Sequence, residues 1–333
     1  MKKKIALLTA CLFAVSGMAG CGNKSAASST VAQSVASTAA SSAQSAAQSG
    51  GHHKIGFTAT TMNNPYFHVI ADSVEKVVKQ NGDTLVTTDP QNDQSKQNDQ
   101  VDDMLSQGID VLLLCPIDSQ GCQTALTDCQ KKNVKVVVFD TPANDTSLVA
   151  ATVASDNYNT GVVDAKDMMS KLKKGSKIAI INSPTAKACN ERVQGFKDTI
   201  KDYFSVVATL NGKGDTGVTL PIAEDLLQST PDLGAFFAVN DPSAIGCIQA
   251  VTAKQKTGKV LVYGVDGNPE AKAQIKAGKM TATGAQSPMN IGTKAVEAAY
   301  KLLKGESVEK DITVPTFIIT ASNVDKYGTT SWQ

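Results

Sequence analysis

The chain has 333 residues, with 32 basic and 31 acidic side chains and a net charge of +1. That balance implies no basic face for nucleic acid. The length beyond residue 53 suffices for two hydrophobic cores of ordinary size.

The first 20 residues read as an export leader. Lys2, Lys3 and Lys4 precede an apolar run over 5–15 and the small residues Ala19-Gly20, a stretch too short to span a bilayer as a mature helix. Met18-Ala19-Gly20-Cys21 resembles a bacterial lipobox, with Met where Leu is commonest. The resemblance implies removal of residues 1–20, diacylglyceryl attachment to Cys21 and an extracytoplasmic body held at the cell membrane. The other reading is an ordinary secretory signal with a chance cysteine. Removal of the leader takes away three lysines and moves the net charge from +1 to −2. The stretch 21–53 is a Ser-, Ala- and Gln-rich linker. Residues 22–51 carry neither Asp nor Glu nor any aromatic, and such a composition buries too little apolar surface to offset chain entropy.

From residue 54 the pattern alternates. Strands are predicted over 55–60, 84–88, 111–114 and 135–140, with helices over 66–81, 94–107 and 119–132 between them. After 151–154 the pattern restarts. Helices over 158–172, 188–202, 221–228, 243–253 and 269–277 alternate with strands over 177–181, 206–210, 235–239, 260–265 and 282–285. A helix over 289–303 and a β-branched run over 312–319 complete the chain. Strand–helix alternation without hairpin signals means right-handed βαβ units on parallel sheets, and the restart means two similar α/β halves.

Neither a G-x-G-x-x-G after the first strand nor a Walker sequence nor a G-x-S-x-G elbow is present, so no nucleotide cofactor and no esterase-type nucleophile is predicted. Gly212-Lys213-Gly214-Asp215 is a turn. Beyond Cys11 and Cys21, five cysteines remain, an odd number without C-x-x-C spacing. They read as buried small apolar residues, with one disulfide left open and no metal site expected. His52-His53 read as an incidental polar pair.

Polar side chains gather where predicted strands end: Asn63-Asn64, Cys115 to Asp118, Asp140-Thr141, Asn182-Ser183, Asn240-Asp241, Asp266 and Gln286. One such residue is a helix cap, whereas their recurrence at the carboxyl ends of two parallel sheets implies a lined cleft. In Asn64-Pro65-Tyr66-Phe67, Asn64 suits an N-cap and Pro65 the first helical position, which places two aromatics beside the first strand end. Arg192 is the single arginine in a chain that otherwise uses lysine. A guanidinium kept alone points to a need for its rigid fork of donors. Arg192→Lys is therefore expected to weaken ligand binding while leaving the melting temperature of the free protein little changed.

The stretches 63–67, Asp140, 154–157, 191–196, 239–241, 264–267 and 283–286 resemble, in order and spacing, those of the ribose-binding family of type 1 periplasmic binding proteins. The resemblance covers about residues 54–320. It implies two Rossmann-like lobes with parallel sheets, joined by a three-strand hinge and closing on a sugar. The first lobe would comprise 54–155 plus 287–316, and the second 156–286 plus 317–333. Carried over, Asn64, Asp140, Arg192, Asn240, Asp266 and Gln286 match polar contacts to hydroxyls, and Tyr66 and Phe67 match aromatics on the sugar ring. Cys115 and Thr141 stand where the family has a contacting asparagine and a second arginine. Gly214 and Val265 stand where it has phenylalanines. The resemblance further implies a non-enzymatic, cofactor-free monomer that hands a sugar-like ligand to an ABC transporter permease. A sensor module, a nucleoside or signal-molecule binder, and a hydrolase using Asp140 and Asp266 are the rival readings.

Overall fold

A computed structural model describes residues 52–333; the leader, Cys21 and the linker up to residue 51 lie outside the described residues. The first sheet has the order β11-β5-β4-β3-β1-β2. Its strands are β1 (Lys54–Thr58), β2 (Thr84–Thr88), β3 (Val111–Leu114), β4 (Lys135–Phe139), β5 (Ala151–Ser155) and β11 (Asp311–Val314). The second has the order β12-β10-β9-β8-β6-β7. It contains β6 (Lys177–Asn182), β7 (Ser205–Asn211), β8 (Leu233–Ala238), β9 (Leu261–Asp266), β10 (Ala282–Ala285) and β12 (Phe317–Thr320). The two orders are the same doubly wound pattern, and all neighbours are parallel except β10 and β12. Strands such as Val111–Leu114 are buried along their whole length, as expected where helices cover both faces of a sheet.

The chain passes between the lobes three times: from β5 to α4 (Asn157–Lys171), from β10 to α9 (Pro288–Leu303), and from β11 to β12. The last passage divides the β-branched run over 312–319 between the two sheets. Pro315 lacks an N–H for either ladder, so the run divides at Pro315-Thr316 and its halves pair in different sheets.

Most helices lie within a residue or two of the pattern, with two informative exceptions. The helix expected from Pro221 begins five residues earlier, as α6 (Thr216–Ser229), because the Asp215 carboxylate accepts from the Val218 N–H at 2.9 Å and the proline falls inside the helix. The helix expected from Ser119 begins at Gln123, as α3 (Gln123–Lys131). The Asp118 carboxylate there accepts from the Gln120 and Gly121 N–H groups, holding residues 118–121 as a turn.

His52 and His53, read as part of the linker, are tied to the body. Nδ1 of His52 lies 2.6 Å from the Gly82 carbonyl, and the His53 N–H donates to Asp83 at 2.7 Å. All five described cysteines are free, four of them fully buried.

Candidate ligand-binding cleft

A cavity of about 780 Å³ opens at the carboxyl ends of both sheets, lined by residues of both lobes. Volumes of several hundred cubic ångströms are usual for small-molecule sites. At its rim the lobes touch directly: the Ser119 N–H donates to the Thr185 carbonyl and the Lys187 N–H to the Ser119 hydroxyl, each at 3.0 Å.

The first lobe contributes Asn64, Tyr66, Phe67, Asp140 and Thr141 to the wall. Asn64 caps α1 (Pro65–Gln80) by accepting from the Tyr66 N–H at 3.0 Å. That cap turns Tyr66 and Phe67 onto the first helical turn, where both are buried and their rings pack edge to face at 5.3 Å. The Tyr66 hydroxyl donates to Asp140 at 2.8 Å. Burial, together with the carboxylates of Asp140 and Asp266, pushes the Tyr66 phenol well above its ordinary range, so the ring stays a neutral donor.

From the second lobe come Arg192, Asn240, Asp266 and Gln286. Arg192 lies on α5 (Lys187–Ile200), which meets α4 at two glycines. A Cβ at Gly161 or Gly195 would collide with the backbone of the facing helix. This close approach brings Asn157 at the start of α4 to the Arg192 Nε, which donates to its side-chain oxygen at 2.9 Å, while Nη1 donates to the Val239 carbonyl at 2.8 Å. The guanidinium is only 4% exposed and stands 3.8 Å from Asp266. Burial alone would lower its affinity for a proton, but Cys189, Asp266 and Asp140 around it reverse the sign and raise it. It is a fixed positive charge.

Asp266 accepts from the Gln286 amide at 2.8 Å and from the Asp241 N–H at 3.4 Å. Desolvation drives its carboxyl up to about 7 against the pull of Arg192. A pair separated by 3.8 Å makes too weak a bond to repay the loss of water around a buried carboxylate. The other amide atom of Gln286, its oxygen, is buried without a partner. Asn240 is engaged twice, capping α7 (Asp241–Ala253) through Ser243 N–H and donating to the Gly214 carbonyl at 2.9 Å.

Asp140 and Asp266 both hold positive φ, 60° and 139°. Such conformations are costly for a residue with a Cβ and collect at functional sites. Each aims a carboxylate from a strand end into the same space.

Nine of the ten residues singled out from the sequence line this cavity. Cys115 does not. It is fully buried behind the wall, with its thiol 3.7 Å from Asp140 Oδ2, and burial beside that carboxylate raises its pKa far above the thiol range. Its part is to back Asp140. Among the wall residues that escaped the sequence reading are Cys189 and Trp332. Cys189 lies one helical turn before Arg192, and that spacing was a signal for it. Trp332 belongs to a segment without periodicity, and its being the one tryptophan in the chain was the only cue.

Among the described residues no group of three His, Cys, Asp or Glu side chains is placed to hold a metal ion, and no helix is long and apolar enough to cross a membrane. The cleft offers fixed donors, fixed acceptors and aromatic faces. That inventory binds neutral polyhydroxylated molecules.

The sequence profile of the periplasmic binding protein domain matches residues 55–307. The ribose import binding protein of Bacillus subtilis is 39% identical over 262 residues, covering 78% of this chain and 85% of that one. The D-allose-binding periplasmic protein of Escherichia coli is 30% identical over 249 residues, covering 71% and 80%. A solved ABC transporter solute binding protein from Mycobacterium smegmatis, with bound glycerol, superimposes with a TM-score of 0.80 at 30% identity, covering 85% of this chain and 99% of that one.

Proposed function

The chain belongs to the periplasmic binding protein family, and from that membership we propose that it captures a sugar or sugar-like ligand between its lobes and delivers it to an ABC importer. It is a binding protein rather than an enzyme, and the energy for transport is spent elsewhere. The observation that carries the reading is the convergence of Asp140 and Asp266, from opposite lobes, on one cavity that also holds the Arg192 guanidinium. Carboxylates accept from sugar hydroxyls, the guanidinium and the Gln286 amide supply donors, and Tyr66 and Phe67 cover a C–H face. Because the two lobes each provide part of that set, ligand favours the closed arrangement over an open one.

Thr141 and Gly214, both in the wall, leave the cavity roomier and poorer in charge than the ribose-binding pattern, so the ligand class extends to aldohexoses and cyclitols; Val265 is buried in the second-lobe core and takes no part in that wall. We propose the lobes as 54–155 with 287–316 and 156–286 with 317–333, each rigid, the three passages between the sheets forming the hinge. We further propose that the mature protein is a monomer anchored by a diacylglyceryl group on Cys21. Metabolic labelling with an alkyne fatty acid tests the anchor: label on the wild type and none on Cys21→Ala is the expected result.

The decisive experiment is a thermal-shift screen with pentoses, hexoses, cyclitols, polyols and nucleosides, followed by calorimetry of the hits. A ligand at a hundred times its Kd adds about 2.7 kcal/mol to stability, a shift of several degrees for a protein of this size. A sugar or cyclitol hit with micromolar or tighter Kd is the expected outcome. Silence across them all, or a response to nucleosides alone, would sink the sugar reading.

A further inference from the structure

The segment Ser331-Trp332-Gln333 lies beyond every strand and helix, yet both lobes are shaped to receive it. Lys272, on α8 (Pro269–Lys276), is fully buried and among the described residues makes no ion pair. Its ammonium donates to the Ser331 carbonyl at 2.5 Å and to the Gln333 side-chain oxygen at 3.1 Å. A buried ammonium without such acceptors would be costly. The Gln333 amide nitrogen donates in turn to the carbonyls of Asp266 and Gln286, at 3.0 and 2.6 Å. Next to Asp266, Gly267 holds a φ of +74°, and a Cβ there would collide with that same amide. The socket in the second lobe thus consists of a buried lysine, two carbonyls at the cleft floor and a glycine that leaves room.

Trp332 faces the other way. Its half-buried ring lines the ligand cavity and packs on the first-lobe core, 5.5 Å from the Tyr66 ring at an interplanar angle of 66°. Phe67, Tyr66 and Trp332 form a row of rings in edge-to-face contact. The first two come from the first lobe and the third from a segment rooted in the second, so the row is complete only when the lobes are together. We infer that Ser331–Gln333 is a clasp within the binding site, and that Trp332 selects ligands presenting an apolar ring face. This rests on the sugar-capture reading and deepens it. The ligand class is a cyclic sugar or cyclitol rather than its open-chain polyol, because a flexible chain cannot offer a flat C–H face to an aromatic without losing conformational entropy.

The test is calorimetry of the full chain and of Trp332→Ala, Trp332→Phe and Gln333→Ala with ribose, allose, myo-inositol and ribitol. For the ring ligand that binds best, Trp332→Ala is expected to weaken affinity roughly 30-fold, Trp332→Phe no more than about threefold, and Gln333→Ala about fivefold through loss of the anchor. Preference for that ligand over ribitol should shrink in Trp332→Ala. Wild-type affinity and wild-type preference in Trp332→Ala overturn the inference. If that variant does not fold, Gln333→Ala decides: unchanged affinity there overturns it equally. A wild type that binds none of the four, nor any other sugar or cyclitol, removes the capture reading and this inference with it.

Discussion

Asp140 and Asp266 occupy equivalent places in the two lobes, each at the end of the third strand counted from the edge where the chain crosses over, and each with positive φ. Their surroundings differ. Asp140 is held by single hydroxyl and thiol groups, the phenol of Tyr66, the side chain of Thr141 and the thiol of Cys115. Asp266 sits in a continuous polar frame that runs through Gln286, Asp241 and Arg192, and through Arg192 to Asn157 and Val239. The first lobe therefore supplies an aromatic face with one carboxylate, and the second a pre-set array of charges. Preorganised charge costs little at the moment of binding, whereas an aromatic face gains by shedding water.

The largest effect expected from breaking this division is at Asp266. Asp266→Ala should abolish measurable binding, a loss of at least about a thousandfold, since two or more charge-assisted hydrogen bonds disappear at once; calorimetry with the ligand found by screening reads it. Retained binding would assign the array to some other group. Arg192→Lys comes next, at roughly a hundredfold. The sequence alone predicted an undisturbed melting temperature for this variant. The bonds to Asn157 and Val239 make Arg192 a strut as well as a ligand group, so Tm should fall by about 5 °C, and a Tm equal to wild type would show those bonds to be idle.

A smaller, graded effect follows from pH. Burial pushes the carboxyl of Asp266 up to about 7. Ligand hydroxyls donate to the ionised form, so binding lowers that pKa, a proton leaves on binding near neutrality, and affinity declines as pH falls below 7. Between pH 8 and pH 5.5 the decline should be roughly 30-fold, and a Kd flat over that range would place the ionisation elsewhere. Smallest of all is Tyr66→Phe, which keeps the aromatic face and removes one donor to Asp140. It should cost about threefold to tenfold in affinity. A loss comparable to Arg192→Lys would mean that the first lobe is as polar in function as the second.

The architecture was legible because each βαβ unit writes its own period into the chain. The alternation of strand and helix gave both sheets, and the polar strand ends gave Asn64, Asp140, Thr141, Asn240, Asp266 and Gln286 of the cleft wall, while Tyr66 and Phe67 came from the capped helix start and Arg192 from being the single arginine. What stayed hidden was set by packing across long distances. Cys115 ends a strand as its neighbours in the pattern do, yet its side chain falls on the core side of the wall, and alternation says nothing of that once a strand is buried on both faces. Lys272 occupies a position on α8 that looks solvated until residues 331–333 cover it. Trp332 has no periodic neighbours at all, so only the folded chain places it against Tyr66.

That placement also gives the molecule its own optical reporter. Trp332 is the sole tryptophan, and its indole stands in the ligand cavity against a tyrosine. Excitation at the red edge of tyrosine absorption addresses one chromophore in the whole chain. Its emission maximum and yield register the dielectric of the cleft alone, without an added dye, and a stopped-flow trace would resolve entry of the ligand from the slower movement that seals it in.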